Sequence, residues 1–269
     1  MAGHAVELTV VRELAPLIFA PFAHLDDCDA EPALRIDVTT LDEPLDDLPD
    51  SGVVLTHDGL IEHRHRHSIA ILDRERGTIR ASIHNDGAIA SWHRAKPLQV
   101  PLSIFFADRG IDLVHGGLVS LRGRGALIAG NSGAGKSTLA TACAAAGLDF
   151  LGDDCVAVRG TEGYSIFGSS SLVDGQTKNV IFPERTATST SIRAIVLPRI
   201  THDAHVTLRP ASAKEALLAL APGSILRRAV PAAEALGRMA RMAREVSAFR
   251  LEMGPIDEAV ARVWELLEA

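Results

Sequence analysis

The chain lacks the cysteine pattern of a disulfide framework. Its three cysteines, Cys28, Cys143 and Cys155, show no paired spacing. Cys143 falls among alanines on a predicted helix and Cys155 on a predicted strand, so both read as small core residues of a reducing compartment. No apolar run approaches the length of a membrane span. Positive charge is not in excess: the net charge of −7 argues against a general nucleic-acid surface. There is no internal repeat and no secretory signal. Leu14 to Phe22 is apolar, but Glu7, Arg12 and Glu13 precede it and Pro16 and Pro21 interrupt it. These absences lead us to expect a soluble cytoplasmic protein with neither nucleic acid nor membrane as partner. With 269 residues, 47% hydrophobic and 23% charged, the composition is globular and suits one large domain or two small ones.

What is present is a phosphate-binding loop. Gly130-Asn131-Ser132-Gly133-Ala134-Gly135-Lys136-Ser137 fits G-x-x-x-x-G-K-[ST]. The run Gly125–Ala129 before it reads as a buried strand, and Thr138–Ala146 after it as a helix stopped by Gly147. The glycines let the backbone bend so that several N–H groups point into one cavity at the positive end of a helix. In such a loop Lys136 reaches the β/γ-phosphates and Ser137 ligates Mg²⁺. The nucleotide-binding set is therefore Gly130 to Ser137 with the following Thr138.

The first 110 residues read as a β-rich portion, with strands at Val6–Val11, Leu34–Thr40, Val53–Leu55, Ser68–Leu72, Thr78–Ile83 and Ala88–His93. Residues 111–269 read as the P-loop domain. There we expect strands at Leu113–Leu121, Phe150–Val158, Ile192–Pro198, His205–Arg209 and Phe249–Met253. Helices are expected at Pro97–Phe106, Ala211–Ala221, Ala232–Val246 and Ile256–Leu267, and a loop-rich stretch over Thr161–Thr190. The fold class is α/β, a P-loop sheet flanked by helices with the β-rich portion packed on it.

Two further features narrow the chemistry. Asp153-Asp154 ends an apolar approach one helix after the loop, where one carboxylate can reach metal and phosphates and a second can accept the proton of an attacking hydroxyl. His115 lies one short hairpin upstream of the loop, and the hairpin can return it to pair with a carboxylate or a phosphoryl oxygen.

His115, the loop Gly130–Ser137 and the pair Asp153-Asp154 together resemble the bifunctional HPr kinase/phosphorylases of bacteria. Their loop has the form G-x-S-G-x-G-K-S, matched here through Ser132 and Gly133. ATP-dependent phosphoenolpyruvate carboxykinases share this nucleotide-binding architecture. The resemblance implies ATP, Mg²⁺ and γ-phosphoryl transfer to a hydroxyl. It gives Lys136 and His115 catalytic roles, makes one aspartate the base, and leaves Ser137 and the other aspartate to hold the metal. We expect Asp153 as base and Asp154 at the metal, although their order on the strand does not decide this. Thr138 departs from the glutamate that usually follows the loop serine. The N-terminal half does not look like the extra domain of those enzymes, and their C-terminal signature segment is absent. The chain looks more like the shorter HPr-kinase-related proteins of peptide-tailoring systems, lasso-peptide kinases among them. That implies serine on a peptide or protein as acceptor, and leaves a homo-oligomer open. Two other readings stand beside this one. The first is a partner-coupled P-loop NTP hydrolase, or a small-molecule hydroxyl kinase. The second is a nucleotide-binding module in which His115 and Asp153 only support structure.

Arg199 at the end of an apolar strand, Arg227 and Arg228 between helices, and Lys178 in a loop after Asp174-Gly175 are candidate contacts to phosphate or substrate. Arg238, Arg241 and Arg244 read as a solvated helix face. In His63-Arg64-His65-Arg66-His67 alternate residues share a strand face. Its three imidazoles would be spread by about 7 Å steps, so we expect a polar strand or substrate-facing patch rather than a metal site.

Overall fold

A computed structural model describes residues 1–48, 52–85, 94–174, 177–201, 205–224 and 232–269, excepting the side chains of 171–174, 177–178, 222–224 and 232. The N-terminal portion forms a six-stranded sheet of β1 (Val6–Val10), β2 (Leu34–Thr40), β3 (Val53–His57), β4 (Leu60–His65), β5 (Ser68–Asp73) and β6 (Thr78–Ile83). Its order is β1-β2-β6-β5-β4-β3, with β1, β2 and β6 parallel and the rest an antiparallel meander. Period-two alternation sets the buried face: Leu34, Ile36 and Val38 on β2, and Ile79, Ala81 and Ile83 on β6, all point inward. The apolar stretch containing Pro16 and Pro21 forms α1 (Ala15–Phe19) and a 3₁₀ turn (Ala20–Phe22). Each proline lies in a first turn, where a missing N–H leaves no hydrogen bond unmade. The expected strand at Ala88–His93 lies outside the described residues.

Helix α2 (Gln99–Ala107) links the two halves. It touches β4 and β5 of the first sheet and β7 (Asp112–Val114) of the second. Phe105 and Phe106 on this helix are fully buried, and they share one apolar cluster with Leu34 and Ile36 of the first sheet and Cys155 and Ala157 of the second half.

The second sheet is built on β15 (Ser189–Ile200). One side of β15 pairs in parallel with β9 (Arg124–Ala129). Its N-terminal part pairs with β12 (Glu162–Tyr164), and its C-terminal part with β17 (Ser247–Met253). The hairpin β8 (Gly116–Leu121)–β9 continues through β10 (Asp149–Gly152), while β11 (Val156–Arg159) pairs with β7 and β12. Because only His115 separates β7 from β8, these pairings close a ring of strands. Gly163 on β12 meets Leu118 of β8 across it: a Cβ at Gly163 would stand 2.6 Å from the Leu118 side chain. β16 (Thr207–Ala211) adds to β17.

Helix α3 (Lys136–Ala145) buries Lys136, Leu139, Ala140 and Cys143, the spacing of one helical face. Its small residues allow close approach, and a Cβ added at Gly117 of β8 would stand 2.9 Å from the Ala140 Cβ. Helix α6 (Ile256–Glu268) packs on α3 through Ala259, Val260, Val263 and Leu267. Helices α4 (Ala213–Ser224) and α5 (Ala232–Glu245) cover the other face through Ala216, Leu220, Met239 and Met242.

Three expectations are corrected. The strands expected at Leu113–Leu121 and Phe150–Val158 are each broken, at His115 and at Asp153–Cys155. Asp154 takes a left-handed backbone, φ +65°, and a Cβ at Gly152 would stand 2.8 Å from Val156. A regular strand cannot continue through such a bend, and Cys155 therefore precedes β11 rather than lying within a strand. The stretch Thr161–Thr190 is not mainly loop, because it holds β12, β13 (Ser170–Asp174) and β14 (Thr177–Ile181). Its polar side chains suggested loop, yet Ser169 and Ser170 are fully buried and hydrogen-bonded. Arg238 is not solvated: its guanidinium makes a two-pronged contact with the buried Asp112, at 2.7 Å on both oxygens, and ties α5 to β7. Arg241 and Arg244 are exposed as expected.

Candidate active site

Strand β9 delivers the chain to Gly130, and helix α3 starts at Lys136. Between them the backbone takes φ values of +154° at Gly130, +79° at Gly133 and +98° at Gly135. Gly135 has a left-handed φ that favours glycine, and a Cβ there would have to push aside the Met253 side-chain methyl. Asn131, Ser132, Gly133 and Thr138 are exposed, while Gly130, Ala134 and Ser137 are half-buried. Lys136 Nζ donates to the Asn131 carbonyl at 3.0 Å. Burial lowers its pKa from the ordinary lysine value, against the opposing pull of Asp154 and Asp153.

The two aspartates have different surroundings. Asp153 is wholly buried. Ser137 Oγ donates to its Oδ1 at 2.9 Å, and Ser170 Oγ to its Oδ2 at 2.7 Å. Thr141 on α3 is 3.2 Å from the Ser170 hydroxyl and steadies it. Burial, then the neighbouring Asp154 charge, raises the Asp153 pKa; the Ser170 bond, Lys96 and the Ser137 bond pull the other way. The Asp154 side chain is partly exposed, at 23%. Lys96 Nζ donates to its Oδ2 at 2.8 Å.

His115 reaches this point through the β8–β9 hairpin. Gly116, its neighbour, pairs with Ala129 immediately before the loop. Its Nδ1 lies 3.2 Å from the Asp154 carbonyl and 3.4 Å from Asp154 Oδ1. Donation from Nδ1–H to that carbonyl leaves Nε2 as an acceptor. Burial, the largest influence, lowers the His115 pKa, and Asp154 opposes it.

The structure thus brings together His115, the loop, Lys136, Ser137, Asp153 and Asp154. Arg199 is exposed at the end of β15 and lines a separate part of the site, a groove of about 550 Å³ between the loop, β15 and α4. Ile200 and Leu218 give that groove an exposed apolar wall. Arg227 and Arg228 lie outside the described residues. Lys178 lies in β14 opposite Val173 rather than in a loop, and its side chain is outside what is described. His63, His65 and His67 are buried, with His65 and His67 ring centroids 6.2 Å apart. They do not form a substrate-facing patch; only the intervening Arg64 and Arg66 face solvent. No group of three or more metal-ligating side chains is assembled among the described residues.

A catalytic Mg²⁺ does not need such a cage. It is held by one or two carboxylates together with substrate phosphates and water, and Ser137 with Asp153 beside the loop is a donor set of that kind.

Lys96, Ser169 and Ser170 were not singled out by sequence. No motif marks them, because a lone lysine before a proline and a serine run both read as surface. The apolar residues that follow Lys96, in Gln99–Ala107, gave the only hint that this segment is buried.

The sequence profile of the HPr Serine kinase C-terminal domain matches residues 109–178. The match takes in His115, the loop, both aspartates and Ser170, and begins after Lys96. No match is found among curated proteins. Among solved structures, the Hpr(Ser) kinase/phosphatase from Coxiella burnetii is similar at 14% identity, covering 58% of this chain and 88% of that one with a TM-score of 0.37. No helix among the described residues is long and apolar enough to cross a membrane.

Proposed function

We propose that the chain is an ATP- and Mg²⁺-dependent phosphotransferase that moves the γ-phosphoryl group to a serine hydroxyl on a peptide or protein, acting in the cytoplasm. The observation that carries this reading is the convergence of His115, Lys136, Ser137 and the Asp153-Asp154 pair at one loop. The profile match over the same residues supports it.

The loop N–H groups and the start of α3 hold the phosphates, and Lys136 offsets their charge. Ser137 and Asp153 would hold Mg²⁺, which would supply charge neutralisation at the phosphates. We assign Asp153 to the metal side and Asp154 to the base, the reverse of the division expected from sequence. Asp153 lies deeper than Asp154 and shares a hydrogen bond with Ser137, the other expected metal ligand, so it is the carboxylate tied to the loop rather than to the acceptor side. Asp154 is partly open and stands beside His115. The acceptor oxygen forms a bond to the γ-phosphorus as the bond to the β,γ-bridging oxygen breaks. ADP leaves, and the hydroxyl proton passes to Asp154. His115 orients Asp154 by donating from Nδ1–H to its main-chain carbonyl. In this reading residues 1–110 form the portion that receives the acceptor, and residues 111–269 the phosphoryl-transfer domain.

The test is mass spectrometry of candidate peptide acceptors incubated with ATP and Mg²⁺, comparing wild type with Asp154→Asn and Lys136→Ala. One phosphoryl group gained with wild type alone supports the reading. ATP consumed with no acceptor modified contradicts it and favours a partner-coupled hydrolase.

A further inference from the structure

The candidate phosphate contacts suggested by sequence, Arg199, Arg227 and Lys178, all follow the loop in the chain. A cation reaches the site from the other direction. Lys96 is 4% exposed, and its ammonium bonds Asp154 Oδ2 at 2.8 Å. Its backbone is fixed beside it: Ser169 Oγ donates to the Ala95 carbonyl at 2.6 Å. The next residue, Ser170, donates to Asp153. Three adjacent pairs therefore interlock, namely Ala95-Lys96, Asp153-Asp154 and Ser169-Ser170. Burying an ammonium is costly unless it is paired, and packing alone would be met by methionine. Asp154 also sits on a left-handed backbone at the break between two strands, so no regular ladder fixes its side chain.

We propose that Lys96 is a positioning residue for phosphoryl transfer, holding one oxygen of Asp154 so that the other faces His115 and the acceptor hydroxyl. This rests on the phosphotransferase reading of Asp154. It makes the segment before residue 109 part of the active site rather than an appendage to it. Lys96 acts through Asp154, and the nucleotide is held by other groups.

The experiment is a kinetic double-mutant cycle of Lys96→Met and Asp154→Asn, run on an acceptor that the wild type phosphorylates. Lys96→Met is expected to lower kcat about 100-fold, the scale of a misplaced reacting group. KM for ATP and the affinity for a fluorescent ATP analogue stay within about two-fold, because uniform binding is untouched. In the Asp154→Asn background, Lys96→Met causes no further loss, since the two residues act as a unit. Lys96→Arg, which keeps the charge, recovers part of the activity. Wild-type kcat in Lys96→Met overturns the proposal. An equal loss in the Asp154→Asn background also overturns it, by showing that Lys96 acts on the phosphoryl group directly. If Lys96→Met does not fold, Lys96→Arg is placed in the same cycle: a loss that vanishes in the Asp154→Asn background supports the proposal, and one that persists overturns it. A wild type that phosphorylates no acceptor defeats the phosphotransferase reading, and the positioning role with it. An active wild type indifferent to Lys96 defeats the positioning role alone.

Discussion

Ser137 on the first turn of α3 donates a 2.9 Å hydrogen bond to Asp153 at the break between β10 and β11. This bond joins the loop to the carboxylate pair, and the proposed division of roles puts Asp153 on the metal side. Asp153→Asn keeps the shape and removes the charge. We predict that the Mg²⁺ concentration for half-maximal turnover rises at least about 10-fold, since changing even a group that only orients a ligand costs about 10–100-fold. Nucleotide binding without metal is unchanged. A Mg²⁺ titration of turnover checks this, and an unaltered midpoint contradicts the assignment.

Gly135 is fixed by two independent constraints, its φ of +98° and the Met253 side chain in the space a Cβ would need. Gly135→Ala therefore strains the backbone and pushes the Met253 side-chain end aside. We predict a loss of roughly 1–3 kcal/mol in stability together with loss of nucleotide binding. Urea unfolding and titration of an ATP analogue measure both. Ala at a freely placed glycine such as Gly237, with nothing within 4 Å, is the control.

His24 gives a pH dependence. Its Nε2 is 2.6 Å from Ser165 Oγ, and burial drives its pKa down to about 4. Above the ordinary histidine value neither the folded nor the unfolded state carries the proton. Between that value and about 4 the unfolded chain binds a proton that the folded chain does not, so stability falls as pH falls. Below about 4 both states are protonated and the penalty is complete. Its size is on the order of 2–3 kcal/mol. His24→Gln should flatten this limb in urea melts taken across the window. An unchanged slope would assign the dependence to other groups.

The pair Arg238–Asp112 fastens α5 to β7. Arg238→Ala leaves a buried carboxylate without its partner, and we predict a loss of about 3 kcal/mol. Arg241→Ala, on an exposed part of the same helix, should change stability by less than about 0.5 kcal/mol. Thermal melts of the two variants separate them.

Much of this architecture is written locally. The helix at Ile256–Glu268 follows its apolar spacing, and the strand–loop–helix around Gly130 follows its motif, because both signals lie within one element. His115 could be placed because a single hairpin connects it to the loop. Lys96 and Ser170 could not, since they reach Asp154 and Asp153 across 58 and 17 residues through packing that carries no periodic mark. Arg238 looked solvated because Asp112, its partner, lies 126 residues away. The serine-rich stretch looked like loop because its hydroxyls bond to buried partners that local sequence does not reveal.

The proposed reaction is transfer of the γ-phosphoryl group to an acceptor hydroxyl. Its most direct test follows ATP labelled with ¹⁸O on the γ-phosphorus, with Mg²⁺ and a panel of serine-containing peptides, for wild type and Lys136→Ala. Labelled phosphoserine is expected on an acceptor with wild type and none with Lys136→Ala. Label found solely in inorganic phosphate, whatever acceptor is present, would contradict it.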